Sequence, residues 1–111
     1  MPTSPPVLDS QRIRARMRLS CGRMARLMDV SAKAIQRWEE GGVPPGSVEL
    51  RERLARLQEI SDLGTVVYAP EGFAQFLITS LPSFGGRTAL QMIEQGQAGA
   101  VLAADYEGLG Y

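Results

Sequence analysis

The sequence has no histidine and a single cysteine, Cys21. These absences exclude the Ser-His-Asp triad, the Cys-His pair, histidine metal sites and a disulfide framework. No apolar run approaches the ~18 residues of a membrane-spanning helix. Met1-Pro2-Thr3-Ser4-Pro5-Pro6 has neither the basic start nor the apolar stretch of a secretory leader, so the expected location is cytoplasmic. With no phosphate-cradling loop and no metal-ligand cluster, the sequence calls for no cofactor and argues against an enzyme. What is present is enough to fold. The 111 residues suit about one ordinary domain or two very small ones, and 44% hydrophobic against 22% charged residues can bury a core.

Net charge is also absent, but the zero sum hides a division. Residues 1 to 60 hold eleven Lys or Arg against seven Asp or Glu, a balance of +4, whereas residues 61 to 111 hold one against five, a balance of −4. The first half suits a polyanion and the second does not.

The periodicities are helical. Residues 1–8 form a proline-rich, polar stretch expected to be a flexible arm. Asp9 or Ser10 caps a short basic helix in which Ile13 and Met17 share a face, surrounded by Arg12, Arg14, Arg16 and Arg18. Those arginines suit either solvent or phosphate. Ser20 caps a second helix from Cys21 to Met28, with Met24, Leu27 and Met28 as core fillers. Ser31 caps a third, with Ile35 and Trp38 inward, expected to end through left-handed conformations at Gly41-Gly42. After the break at Pro44-Pro45-Gly46, Ser47 caps a long fourth helix marked by Leu50, Leu54, Leu57 and Ile60. Thr65-Val66-Val67-Tyr68 reads equally as an extended segment or as the end of that helix. Pro70-Glu71 opens a further helix, with Phe73, Phe76, Leu77 and Leu81 at helical spacing. Pro82 to Gly86 is a loop, Thr88 and Gln91 form a capping-box pair, and Gly96 separates the short helix that follows from a last one over about 97–106. The expected fold is all-α, with units at 9–64 and 65–111 joined by the long helix.

Ser20 to Gly41 reads as helix, tight turn, helix. Two helices joined so closely cross steeply, which requires a small residue at the crossing, Ala25, and apolar filling from Val30, Ile35 and Trp38. The stretch Met24-Ala25-Arg26-Leu27-Met28-Asp29-Val30-Ser31, followed by Ile35-Gln36-Arg37-Trp38-Glu39, resembles the helix-turn-helix of the Xre and phage-repressor family. It differs at Asp29, where that family often has glycine, and at Cys21, where a glutamine commonly contacts phosphate. Ala32, Lys33, Gln36 and Arg37 fall on the outer face of the second helix of the pair. Arg37 offers a fork for guanine, Gln36 can pair with adenine, and Lys33 can take guanine or phosphate. The same four residues also suit a plain solvated face. Cys21, without a catalytic partner nearby, reads as an inert thiol.

In the second half, Phe76-Leu77, Pro82, Phe84-Gly85-Gly86-Arg87-Thr88 with Leu90, then Gly96, Gly99, Val101 and Tyr106-Glu107-Gly108, resemble in order the toxin-binding domain of Xre/MbcA/ParS-like antitoxins. Phe76 stands where a tryptophan is common in that family, and Ala89 where a proline is common. The resemblance implies a protein that neutralises a RES-domain toxin, one that consumes NAD or transfers ADP-ribose from it, and that represses the shared operon by binding operator DNA, as a homodimer or a larger assembly with the toxin. The expected toxin contacts are Arg87 and a glycine-loosened tail of Tyr106, Glu107, Gly108, Leu109, Gly110 and Tyr111, whose anionic and aromatic groups suit a nucleotide cleft. Arg87 could instead cap locally or pair with Glu94 or Asp105, and the tail could be an ordinary frayed terminus. A plain Xre-family transcriptional regulator, with an acidic half for dimerisation or ligand sensing, is the alternative reading.

Overall fold

The computed structural model describes residues 9–41 and 46–108. Seven α-helices account for most of these residues: α1 (Ser10–Met17), α2 (Cys21–Met28), α3 (Ala32–Gly41), α4 (Val48–Val67), α5 (Pro70–Ile78), α6 (Ala89–Glu94) and α7 (Ala98–Gly108). No strand occurs among the described residues; the one sheet-like feature is an isolated antiparallel bridge between Leu81 and Arg87. The fold is all-α. The expected flexible arm at 1–8 lies outside the described residues, as do Gly42, Pro44, Pro45, Leu109, Gly110 and Tyr111.

Local chemistry sets most helix starts. The side chains of Asp9, Ser20, Ser31 and Ser47 accept from the backbone N–H three residues on, at 3.1, 3.1, 3.1 and 3.2 Å. Each satisfies a donor that the first helical turn leaves orphaned. Thr88 and Gln91 close a full capping box at the head of α6. Proline opens α5 in the first turn, where its missing N–H costs nothing. Ala89 takes the first helical position of α6 and is fully buried.

One open alternative is resolved and three expectations are revised. Thr65-Val66-Val67 belongs to α4, with Tyr68 as its C-cap, because the Tyr68 N–H reaches the Gly64 carbonyl at 2.9 Å. Leu81 lies beyond α5: the chain leaves the helix at Thr79, and Leu81 instead bridges to Arg87. Gly41 is the last residue of α3 and not a left-handed terminator. Finally, α7 continues through Gly108, so Tyr106, Glu107 and Gly108 are helical and not part of a loose tail.

One continuous cluster of buried apolar side chains runs from Ile13 to Leu102, drawing on both sides of the boundary between residues 64 and 65. α4 is its spine. Leu54, Leu57, Ile60, Ser61 and Gly64 lie on its buried face, and α1, α5 and α7 pack along it. Phe73 of α5 sits against the backbone of Gly64 so closely that a Cβ there would fall 2.2 Å from the ring. Ion pairs then tie helices distant in sequence: Arg14 to Glu39, Arg16 to Asp62, Arg18 to Glu71 and Arg23 to Glu94. No described helix is long and apolar enough to cross a membrane.

Candidate functional site

The first candidate surface is the outer face of α3. α2 ends at Asp29, whose φ of 56° is left-handed, and the turn closes with the Val30 N–H donating to the Ala25 carbonyl at 3.0 Å. Aspartate is one of the few side chains that tolerates this conformation, so Asp29 serves at a position where glycine would have been the simpler choice. Ala25 is 5% exposed and Ile35 is fully buried, and α2 packs against α3. Ala32, Lys33, Gln36 and Arg37 are all exposed on the opposite side of α3. Among the described residues, the side chains of Lys33, Gln36 and Arg37 have no hydrogen bond or ion pair.

A lock behind α3 holds this face in place. The Arg14 guanidinium forks onto Glu39, with Nε to Oε1 at 2.6 Å and its second nitrogen to Oε2 at 3.3 Å, and also donates to the Leu19 carbonyl at 3.0 Å. The hydrogen bond to Glu39 holds the Arg14 guanidinium above its ordinary pKa, with burial working against this and the Glu39 charge adding to it. The acid is therefore neutralised away from the outward face, which keeps Lys33, Arg37 and Glu40 as its charges. Cys21, half-buried at the start of α2, places Sγ 3.9 Å from the same carboxylate. Arg14→Ala leaves a mostly buried Glu39 without its partner and is expected to cost about 1 to 3 kcal/mol in urea unfolding. Arg14→Lys should restore only part of this, since an ammonium cannot make the planar fork. The sequence showed Arg14 only as one of four surface arginines, because its partner lies 25 residues away.

The second candidate surface lies at the far end of the chain. Arg87 reaches neither Glu94 nor Asp105: its Nε donates to the Phe84 carbonyl at 3.1 Å and its terminal nitrogen to the Gln95 side chain, while Glu94 pairs with Arg23. The turn before it, a short 3-10 segment over Pro82–Phe84 followed by Gly85 and Gly86 at φ of 66° and 81°, folds the arginine back over its own loop. Arg87 stays exposed. Tyr106 is 41% exposed and Glu107 is exposed, both on the last turn of α7. Arg87 is anchored by a loop and Tyr106 and Glu107 by a helix. Leu109, Gly110 and Tyr111 lie outside the described residues.

Sequence reasoning treated Asp105 only as a possible partner for Arg87, and the structure gives it a different place. The side chain is fully buried and, among the described residues, neither carboxylate oxygen has a hydrogen-bond partner. Burial pushes its pKa up to about 6, and burial with the nearby Asp105 raises that of the Tyr68 phenol. Tyr68 in turn stacks on Phe73 and Phe76, and Phe76 meets Phe84 edge-on, so Phe76 joins a ring cluster. The signal was available: Asp105 falls four residues after Val101 and three after Leu102, on the buried stripe.

A scan against protein-family models and a search of curated proteins each return no match. Among solved structures, the chain is similar to one in the crystal structure of the M. tuberculosis MbcT-MbcA toxin-antitoxin complex, with a TM-score of 0.74 and 19% identity over 89% of this chain and 88% of that one. At that identity the likeness is one of fold, and the arrangement of α1 to α7 is thus one that a chain of a toxin-antitoxin complex also adopts.

Proposed function

We propose that this protein is an antitoxin that binds and neutralises a RES-domain toxin through its acidic second half, and represses its own operon through α3. The observation that carries the reading is the fold likeness over 89% of the chain to a chain of a toxin-antitoxin complex. Two features of the molecule support it. α3 presents Lys33, Gln36 and Arg37 without partners among the described residues, held by the Arg14–Glu39 lock, which is the condition for reading base edges in the major groove. The other end presents Tyr106 and Glu107 on α7, an aromatic and an acid suited to a cleft that binds an anionic dinucleotide through cations. On this reading 9–64 is the DNA-facing part and 65–111 the toxin-facing part, although one core serves both.

The direct test is to co-express the chain with the product of the neighbouring gene and purify one by a tag on the other. Recovery of a complex that lacks toxin activity is the expected outcome; separate elution of an active toxin would overturn the proposal. For the DNA arm, Arg37→Ala is expected to weaken operator binding by ~1 to 3 kcal/mol without changing the melting temperature. A gel shift at fixed salt reads this, and unchanged affinity would remove Arg37 from the interface.

A further inference from the structure

Beyond Leu102, the described part of α7 has a single fully buried side chain, and it is a carboxyl. Ala103, Tyr106 and Glu107 are exposed and Ala104 is half-buried, whereas Asp105 is fully buried with both oxygens unpartnered among the described residues. The preceding turns are held differently, by Val101 at 0% and Leu102 at 8% exposure. An apolar residue at 105 would have continued that stripe. A carboxylate there loses its hydration and gains nothing in return.

No cation compensates. Among the described residues, Asp62 of α4 pairs with Arg16, Arg53 of α4 with Glu49, Glu71 of α5 with Arg18 and Glu94 of α6 with Arg23, while Arg51, Glu52, Arg56 and Glu59 of α4 are exposed and none of them bonds to Asp105. The titratable group that Asp105 acts on is the Tyr68 phenol, whose pKa is raised, so it stays neutral below pH 8 and supplies no charge.

We propose that the end of α7, residues 103–108, is a releasable arm: the neutral Asp105 carboxyl docks it against the Tyr68 end of α4, and ionisation of that carboxyl frees it. This deepens the proposed antitoxin reading, because the arm carries Tyr106 and Glu107, and release would free both, together with Asp105, for a cationic partner surface. The sign follows from linkage. A carboxyl that holds its proton more tightly when buried than when free favours the docked arm at low pH, and the advantage is lost as the pH rises through about 6.

Amide hydrogen exchange on the free full-length protein tests the release whether or not the arm ever meets a toxin. After correction for intrinsic rates, protection of 103–108 in the wild type should fall about tenfold between pH 5 and pH 7.5, with 54–64 of α4 as the internal reference. In Asp105→Leu, which continues the apolar stripe, and in Asp105→Asn, which cannot ionise, the ratio between the two pH values should stay near one. Equal protection of the wild-type arm at both pH values, or the same pH response in wild type and Asp105→Leu, overturns the proposal. A pH-dependent arm in a chain that captures no toxin would leave the release standing and reject only the antitoxin reading.

Discussion

Gly64→Val is expected to lower the melting temperature by roughly 12 °C, corresponding to about 3 kcal/mol for a domain of this size. A Cβ at this position would lie 2.2 to 2.5 Å from three carbons of the Phe73 ring, inside any permitted contact. The ring is fully buried between α4 and α5 and stacks with Tyr68, so it has little room to move. Glycine costs about 1 kcal/mol relative to alanine inside a helix, and in α4 that loss is offset by how closely the two helices approach. Gly72→Ala provides the control, since its Cβ would meet Tyr68 at an ordinary 3.7 Å. It should be neutral or stabilise by about 0.5 kcal/mol through helix propensity alone. Shrinking the ring offers a second check: Phe73→Leu should cost less in a Gly64→Ala background than in the wild type, because the two changes relieve each other. Thermal unfolding of the wild type, Gly64→Ala, Phe73→Leu and the double variant by circular dichroism measures the coupling, and additive costs would mean that the two residues do not collide.

On the proposed antitoxin reading, deleting 107–111 is expected to abolish or strongly weaken toxin neutralisation while leaving operator binding unchanged. The cut removes Glu107 and Gly108 from the end of α7 but keeps Val101, Leu102 and Asp105, so the buried face of the helix survives. DNA binding, if carried by α3, involves a surface whose support comes from α1 and α2. Loss of an anchoring contact at the centre of an interface typically costs about 2 kcal/mol or more, roughly 30-fold in affinity. Survival of cells that co-express the toxin with the shortened chain reports the first effect and a gel shift the second. Full survival would place inhibition in the body of the acidic half, with Arg87 and its loop as the next residues to change.

The helices and their starts were legible in the sequence because what makes them acts over three or four residues. Ser20, Ser31, Ser47 and Thr88 each reach a backbone N–H three positions on, and the spacing of Leu54, Leu57 and Ile60 places them on one face whatever the rest of the chain does. The outward positions of Lys33, Gln36 and Arg37 followed from Ile35 pointing inward. The end of α7 was harder to read, since glycine at 108 signals a break while the alanines before it favour continuing the helix.

What only the tertiary structure decided is how charge is used. Arg14, Arg16 and Arg18 look alike in sequence, yet each meets a different acid on a different helix, 25, 46 and 53 positions away. Such pairings depend on where α3, α4 and α5 lie relative to α1, and no local rule reaches that far. Asp105 shows the same from the other side. Its place on the apolar stripe was visible in the sequence, but the packed helices alone determine that no cation reaches it. Taken by itself, the sequence determined which segments are helical and which faces are apolar, through hydrogen bonds and periodicities closed within a turn or two. The packing of α7 against α4 and α6 decided that a carboxyl is enclosed without a partner, because desolvation depends on what surrounds a group in space.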